Sequence, residues 1–298
     1  MSMEAKSLRY AYYPGCSLGT TAKEYDRSWR AVAEVLGIAL EEIPDWNCCG
    51  ASPVHIQGPR LAAALPARNL ALAEEMGADV VAPCVGCYKN LRKAAKEVHE
   101  DASLRRQVGE AVGREFLGLV QVKHPVEVLL LDLGLEAIRE RVVRPLQGLK
   151  VAPYYGCYLT RPDSPFDTAE NPQSLDRLME AIGAEPVPYP LKTRCCGGGI
   201  FLTREELALE MSHRLLSQAR RSGADCMVVA CPLCDMLLDA YQGRVEAHLG
   251  VRHNMPVLYF SQLMGLALGV DEDRLGFAMR FVSPEPVLAK LRAAVSSG

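Results

Sequence analysis

The chain has 298 residues, 49% of them hydrophobic, and carries a formal net charge of −3. This length fits two domains of ordinary size, and the charge gives no electrostatic support for a nucleic-acid-binding or membrane-surface role. No apolar stretch has membrane-spanning length, since 257–270 is interrupted by polar residues, and residues 1–13 lack the apolar core of a signal peptide. Eleven cysteines without a secretion signal indicate a reducing compartment, so we expect a cytoplasmic protein.

Short apolar runs beside Gly or Pro predict β-strands, and apolar residues at helical spacing predict helices between them. In chain order we predict a strand over 8–13, helices over 21–36 and 59–76, strands over 80–82 and 149–155, a helix over 203–221 and a strand over 227–230. This alternation predicts an α/β fold in which each half has a small, mainly parallel sheet flanked by helices. We place the boundary at Gly148, which gives domains 1–148 and 149–298, and we expect 255–270 to belong to the core.

Ten of the eleven cysteines form one pattern that occurs twice, as C-x31-CC-x34-C-x2-C and then as C-x37-CC-x34-C-x2-C. The first copy contains Cys16, Cys48, Cys49, Cys84 and Cys87, and the second contains Cys157, Cys195, Cys196, Cys231 and Cys234. Five thiols exceed the four ligands of a tetrahedral zinc ion or an ordinary cubane cluster. The pattern therefore favours two unusual iron–sulfur sites, with zinc in one of them as the alternative. Cys226 lies in an apolar run and is interpreted as a buried hydrophobe.

The repeat is larger than its cysteines. Gly77-Ala78-Asp79 matches Gly223-Ala224-Asp225, and Pro125-Val126 matches Pro256-Val257 at an offset of 131 residues. The same order of motifs with drifting loop lengths indicates a duplicated domain. Glycines beside the cysteines would let the backbone approach a bulky cluster and would present amide N–H groups to its sulfurs; these are Gly15, Gly50, Gly86, Gly156 and Gly197 to Gly199.

The doubled pattern resembles the CCG-domain proteins, and nearly the whole chain is similar to the B subunit of heterodisulfide reductase. The resemblance rests on three short motifs: Tyr13-Pro14-Gly15-Cys16, Asn47-Cys48-Cys49-Gly50 and Arg194-Cys195-Cys196-Gly197. It implies two tandem homologous domains that face each other across a pseudo-twofold axis. Each would hold a non-cubane [4Fe-4S] cluster through the five cysteines of its copy.

The resemblance also implies a substrate and partners. A small disulfide, in methanogens the coenzyme M–coenzyme B heterodisulfide, would be reduced between the two clusters. Electrons would arrive from the ferredoxin-like C subunit, fed by the flavin-containing A subunit of an electron-bifurcating complex.

Disulfide reduction also consumes protons, and four residues near the motifs are candidates for proton donation or charge balance. His55 could donate a proton or make a loop hydrogen bond, and Tyr158 could donate or pack against a cluster. Lys192 and Arg194 are expected to balance an anionic cluster or substrate. Among the other histidines, we expect His99, His213 and His248 at the surface, and His124 and His253 in loops without a motif.

Two functions remain open at this point. In the first, the chain is the catalytic disulfide-reducing subunit, which two complete cysteine sets favour. In the second, it is an electron-transfer subunit of a related complex, either sulfur-oxidising or linked to a lactate or glycolate dehydrogenase. A zinc-stapled scaffold is a weaker third interpretation.

Overall fold

The computed structural model describes residues 8–51, 54–114, 116–161 and 163–296. Over these ranges the strands form two four-stranded sheets in which every pair is parallel. The first sheet has the order β2-β1-β3-β4 and the second the order β6-β5-β7-β8, so the two halves share one topology. The strands are β1 (Leu8–Tyr12), β2 (Ile38–Glu42), β3 (Val80–Val81), β4 (Val122–Lys123), β5 (Lys150–Tyr154), β6 (Glu185–Pro186), β7 (Cys226–Val229) and β8 (Val257–Tyr259).

Helices flank both sheets, as the predicted α/β class requires. Those of the first half are α1 (Gly15–Gly19), α2 (Lys23–Val35), α3 (Val54–Gln57), α4 (Pro59–Met76), α5 (Val85–Glu100), α6 (Ala102–Val112), α7 (Pro125–Glu127) and α8 (Leu135–Arg139). Those of the second half are α9 (Ser174–Ala181), α10 (Glu205–Arg221), α11 (Pro232–Asp235), α12 (Gln242–Leu249), α13 (Phe260–Ala267) and α14 (Glu285–Ser296). π-helical turns over Val128–Leu133 and Met236–Ala240 directly follow α7 and α11.

The predicted strands and long helices are confirmed, whereas four strands were not predicted. One of them, β8, lies within the apolar stretch that was assigned only to the core. Strands β4 and β6 have two residues each, which is too short to leave a periodic signal. Strand β2 lies at the sheet edge and buries only its first residue, Ile38, so its sequence lacks an apolar alternation.

The predicted equivalence of Pro125 and Pro256 is wrong. Val81 pairs with Lys123 and Val228 pairs with Leu258, and both valines lie three residues before the first cysteine of a C-x-x-C pair. Position 124 is therefore equivalent to position 259. Pro125 begins helix α7, whereas Pro256 precedes strand β8, so the shared Pro-Val pair has different structural roles.

One hydrophobic core cluster runs through both halves, and a second lies within the first half. The rings of Tyr25 on α2 and Tyr259 are stacked with centroids 4.2 Å apart, and the hydroxyls of Ser28 and Ser261 are 2.7 Å apart. Tyr25 and Ser28 belong to the first half of the chain, and Tyr259 and Ser261 to the second. All four side chains are buried, and the ring of Phe260 packs edge-on against that of Tyr25. The prediction that 255–270 belongs to the core is confirmed.

A buried ion cluster fixes the segment before α14. The side chain of Arg280 is completely buried and lies 3.1 Å from Glu24, 2.5 Å from Asp235 and 3.0 Å from Asp239. Since Glu24 lies on α2 and Asp235 directly follows Cys234, the guanidinium joins the first half to the helix of the second C-x-x-C pair. Burial raises the pKa of Glu24 to about 7.

None of the helices in the described stretches combines the length and apolarity needed to cross a membrane.

Candidate functional site

The cysteines of both sets follow the carboxyl ends of parallel strands, where open α/β sheets place their ligand sites. Cys16 follows β1 and Cys157 follows β5, each after a short loop. Cys84 and Cys231 are the N-cap residues of α5 and α11, so their partners Cys87 and Cys234 lie in the first turns of these helices.

The first set brings two of its thiols into contact. The Sγ atoms of Cys49 and Cys87 are 3.3 Å apart. Burial raises the pKa of Cys48, and hydrogen bonding with Cys49 raises the pKa of Cys87. Cys49 and Cys87 are buried, whereas Cys16 and Cys48 are exposed. The outer edge of this set therefore faces solvent.

The second set has the equivalent thiol contact. The Sγ atoms of Cys196 and Cys234 are 3.5 Å apart. Hydrogen bonding with neighbouring thiols also raises the pKa of Cys157 and lowers the pKa values of Cys195 and Cys231. Cys195 is the exposed member of this set. Both sets thus place an equivalent pair of buried thiols in contact at the same edge of equivalent sheets.

These contacts favour the thiolate, the form in which cysteine binds metals, at one thiol of a pair, while they raise the pKa of its partner, as at Cys87 and Cys157. The hydrogen bond from Cys87 lowers the pKa of Cys49 to about 6. In the second set, the hydrogen bond from Cys157 lowers the pKa of Cys195 to about 2. Each set therefore contains a thiol that its neighbours stabilise in the charged form.

Backbone amides point at the paired cysteines in both halves. The N–H of Gly197 lies 3.3 Å from the Sγ of Cys195, and the N–H of Gly198 lies 3.4 Å from that of Cys196. The N–H groups of Gly50 and Ala51 make the corresponding bonds in the first set. Asn90 adds a side-chain amide 3.8 Å from the Sγ of Cys49.

Glycine is required directly before the first cysteine of each set. Gly15 has a φ of +66°, and a Cβ there would lie 3.1 Å from the Sγ of Cys87. Gly156 has a φ of +68°, and its Cβ would lie 3.2 Å from the Sγ of Cys234. A side chain would enter the space around the sulfurs. We call the space beside Gly15 and the space beside Gly156 the two cradles, and both fit a bulky thiolate-bound group. Across the described ranges, no three His, Cys or acidic side chains are grouped as they would be around a single metal ion.

The predicted candidates for charge balance and proton donation are not gathered at one point. Lys192 is engaged with Asp176, 3.5 Å away, while the side chain of Arg194 is exposed. Tyr158 is 43% exposed, and the Nζ of Lys89 lies 3.7 Å from the centroid of its ring. The backbone of His55 belongs to α3, but its side chain lies outside the described part of the structure.

Sequence reasoning missed Lys89, because the spacing of residues along the chain does not predict its contact with Tyr158. Lys89 lies two residues after Cys87, and Tyr158 directly follows Cys157. Their contact joins residues next to the two different cysteine sets. The two sets therefore flank a common region between the halves.

The histidines depart in part from expectation. His99 and His248 are exposed, as predicted, but the surface prediction for His213 is wrong, because its ring is half-buried and its Nδ1 lies 3.0 Å from the Nε2 of His253. His253 is buried, and His124 is completely buried as the N-cap of α7. A lone loop histidine gives no sequence signal for such burial.

The cysteine-rich domain family, CCG, matches residues 10–92 and 151–239, which contain the two sets. The chain belongs to the CCG cysteine-rich domain family. It is 37% identical to the 8-methylmenaquinol:fumarate reductase membrane anchor subunit of Wolinella succinogenes over 90% of this chain and 94% of that protein. It is 34% identical to the B subunit of the ferredoxin:CoB-CoM heterodisulfide reductase of Methanosarcina mazei, over 95% and 97% of the two chains. The predicted resemblance to the B subunit is thereby confirmed.

A solved structure shares the fold. A hypothetical protein from Helicobacter pylori matches 92% of this chain with a TM-score of 0.75 at 14% identity. The chain spans about half the length of that protein, 52%. At this identity the likeness extends to the fold alone.

Proposed function

We propose that this CCG protein is the disulfide-reducing iron–sulfur subunit of a heterodisulfide-reductase-type complex. In this proposal each half holds one [4Fe-4S] cluster of non-cubane type, and a small disulfide is reduced between the two. The observation that carries the proposal is the contact of Lys89 with Tyr158, because it brings residues beside the two five-thiol sets to one place.

The ligands proposed for the two clusters are the ten cysteines of the repeated pattern. Three features of the chain support this assignment: an equivalent pair of thiols in contact in each half, amide donors aimed at the paired cysteines, and glycines where a Cβ would crowd the sulfurs. When bound, the clusters would supply electrons singly to the substrate disulfide.

The reaction consumes two electrons and two protons and converts one disulfide into two thiols. The proposed role of the chain is to hold both substrate sulfurs between the cysteine sets. The ammonium group of Lys89 and the exposed Arg194 would attract anionic groups of the substrate. Lys192 is better suited to a structural role, because it is paired with Asp176 and donates to the carbonyl of Pro172. Proton donation by His55 or Tyr158 remains a prediction.

Partners and compartment follow from the same proposal. The ferredoxin-like C subunit would deliver electrons from the flavin-containing A subunit, and ten unbridged thiols in the two sets suit a reducing cytoplasm. The names of the Methanosarcina relatives support the assignment to a multisubunit complex.

An electron-transfer role is the second candidate, and the similarity to the Wolinella succinogenes protein favours it. In that case the clusters would pass electrons to a partner without binding a disulfide. The two candidates differ in what the isolated, reduced protein does to a disulfide.

The test is anaerobic mixing of the dithionite-reduced, dithionite-free protein with small anionic disulfides, with thiols measured in the products. We expect about two thiols per disulfide consumed, together with reoxidation of the protein. Cys226→Ala, which changes a buried cysteine outside both sets, is the matched control and should behave like the wild type. Reduced clusters that persist in the presence of disulfides but are oxidised by an electron acceptor would support the second candidate instead.

A further inference from the structure

A buried tyrosine lies three residues before the first cysteine of each set. Tyr13 precedes Cys16 by this spacing, and Tyr154 precedes Cys157. Tyr13 is completely buried and Tyr154 is nearly so. The two phenols therefore occupy equivalent places in the duplicated fold.

Each phenol makes the same hydrogen bond. The hydroxyl of Tyr13 donates to the carbonyl of Asn47 at 2.8 Å, and the hydroxyl of Tyr154 donates to the carbonyl of Arg194 at 2.7 Å. Asn47 and Arg194 are the residues directly before the paired cysteines. In each half, one hydrogen bond thus ties the segment of the first cysteine to the start of the Cys-Cys pair.

The two rings also border the cradles. A Cβ at Gly15 would lie 3.1 Å from the Cε1 atom of Tyr13, the same distance as from the Sγ of Cys87. A Cβ at Gly156 would lie 3.8 Å from both the Cε1 atom and the hydroxyl of Tyr154. Each phenol is therefore a wall of its cradle, while its hydroxyl is bonded to the chain before the paired cysteines.

In the first half, a second side chain holds the same residue. Asn69 is completely buried, its Oδ1 accepts the N–H of Asn47 at 2.9 Å, and its Nδ2 donates to the Asn47 carbonyl at 3.0 Å. The equivalent position, eight residues before the matching Gly77 and Gly223, is Leu215 in the second half. A leucine side chain cannot form these bonds. The first half therefore has a second holder that the second half lacks.

The position of the phenol bond indicates more than the satisfaction of a buried group. A buried phenol needs an acceptor in any protein, so a hydrogen bond by itself does not indicate a role at a site. The chain between the first cysteine and the pair, however, has 31 residues in one half and 37 in the other. Both phenols still bond to the residue directly before the pair. The tie has been kept while the intervening chain has changed.

We propose that Tyr13 and Tyr154 are positioning residues that set the spacing between the first cysteine and the paired cysteines of each set, with Asn69 as a second holder in the first half. The effect on a reduction potential rests on the proposed function, because it requires that the thiols bind clusters. Loss of a hydroxyl lets the two segments separate, which changes the surroundings of the sulfurs and therefore the potential. The hold on the chain itself is independent of iron.

The test removes each hydroxyl and keeps its ring, in Tyr13→Phe and Tyr154→Phe. EPR-monitored redox titration of the purified iron-loaded protein would report a potential for each site, with Cys49→Ser and Cys196→Ser backgrounds to assign the signals. We expect each phenylalanine variant to shift the potential of the site in its own half and to leave the other unchanged. The shift in Tyr154→Phe should be the larger, because Asn69 still holds the first half.

The matched controls remove other buried phenol hydroxyls. Tyr12 donates to Asp26 at 2.7 Å, and Tyr189 donates to the carbonyl of Leu215 at 3.0 Å. Both acceptors lie on helices that carry no cysteine of either set, α2 and α10. Tyr12→Phe and Tyr189→Phe should therefore lower the stability in urea without shifting either potential. Shifts as large in these controls, or unchanged potentials in both tested variants, would overturn the proposal. A shift in Tyr13→Phe as large as that in Tyr154→Phe would contradict the role of Asn69.

Hydrogen–deuterium exchange of the metal-free protein gives a readout that needs no cluster. Peptides over 44–50 should exchange faster in Tyr13→Phe, and peptides over 191–198 should exchange faster in Tyr154→Phe, by the larger factor. Unchanged exchange in both variants would contradict the tie. Absence of iron from the wild-type protein would defeat the proposed function, while the exchange experiment would still decide whether the phenols hold these segments. If one variant does not fold, the other decides by the same criteria.

Discussion

The two cysteine sets have the same skeleton but different surroundings. In the first set Cys16 is exposed, whereas its equivalent Cys157 is half-buried. The turn after the paired cysteines also differs, because Ala51 adopts a φ of +42° where the second half has Gly198. Duplication has thus kept the sulfur positions while solvent access and backbone strain diverged, so the two sites need not have equal potentials or equal stability.

Removing one buried thiol from each set should have the largest effect and tests whether the sets are independent. We expect Cys49→Ser and Cys196→Ser each to lose about half of the bound iron, on the order of four atoms per chain, and to abolish disulfide reduction. Iron analysis and the thiol assay would measure both effects. Full iron content and activity in either variant would contradict the proposed ligation.

Loss of the buried guanidinium should affect the second set more than the first. Arg280→Met leaves Glu24, Asp235 and Asp239 without their cation, and we expect a loss of about 3–5 kcal/mol in the free energy of unfolding. Urea denaturation would measure it. The control is Arg274→Met, since the exposed Arg274 also joins the C-terminal segment to α2, through Glu34, and should cost less than about 1 kcal/mol. Equal costs in the two variants would show that burial of Arg280 contributes nothing.

A matched pair of glycine substitutions tests how equivalent the two cradles are. Gly15→Ala and Gly156→Ala should each cost roughly 1–2 kcal/mol for the left-handed backbone, and more for the Cβ–sulfur contact. Gly77→Ala gives the backbone cost alone, because its φ is +61° and its Cβ would meet nothing within 4 Å. Denaturation of the metal-free protein would measure all three. A cost at Gly156 no larger than that at Gly77 would argue against a crowded cradle in the second half.

The last prediction concerns pH and the buried ring of His124. The pKa of His124 is about 4 in the folded protein and 6.5 in its reference state, so the unfolded chain binds more protons between these values. Stability from this group is therefore present above pH 6.5 and is lost as the pH falls towards 4, by roughly 3 kcal/mol in total. His124→Gln should lose less stability than wild type between pH 7 and pH 5 in denaturant titrations. Parallel pH profiles of the two proteins would contradict this interpretation.

The sequence predicted most of the features that the two halves share and few of the contacts that join one half to the other. The spacing of Cys84 and Cys87 after an apolar run was enough to predict a strand followed by a site, because these relations are local. The short strands β4 and β6 left no such signal. The contacts of Lys89 with Tyr158 and of Tyr25 with Tyr259 depend on how the two halves pack, and no local pattern encodes that.

The most direct test of the account is anaerobic iron and acid-labile sulfide analysis of the wild-type protein, with EPR spectra of its oxidised and reduced forms. The account predicts about eight iron and eight sulfide per chain, the content of two four-iron clusters. About four iron with one zinc would contradict it, because a single redox site would remain and the disulfide could not be held between two clusters.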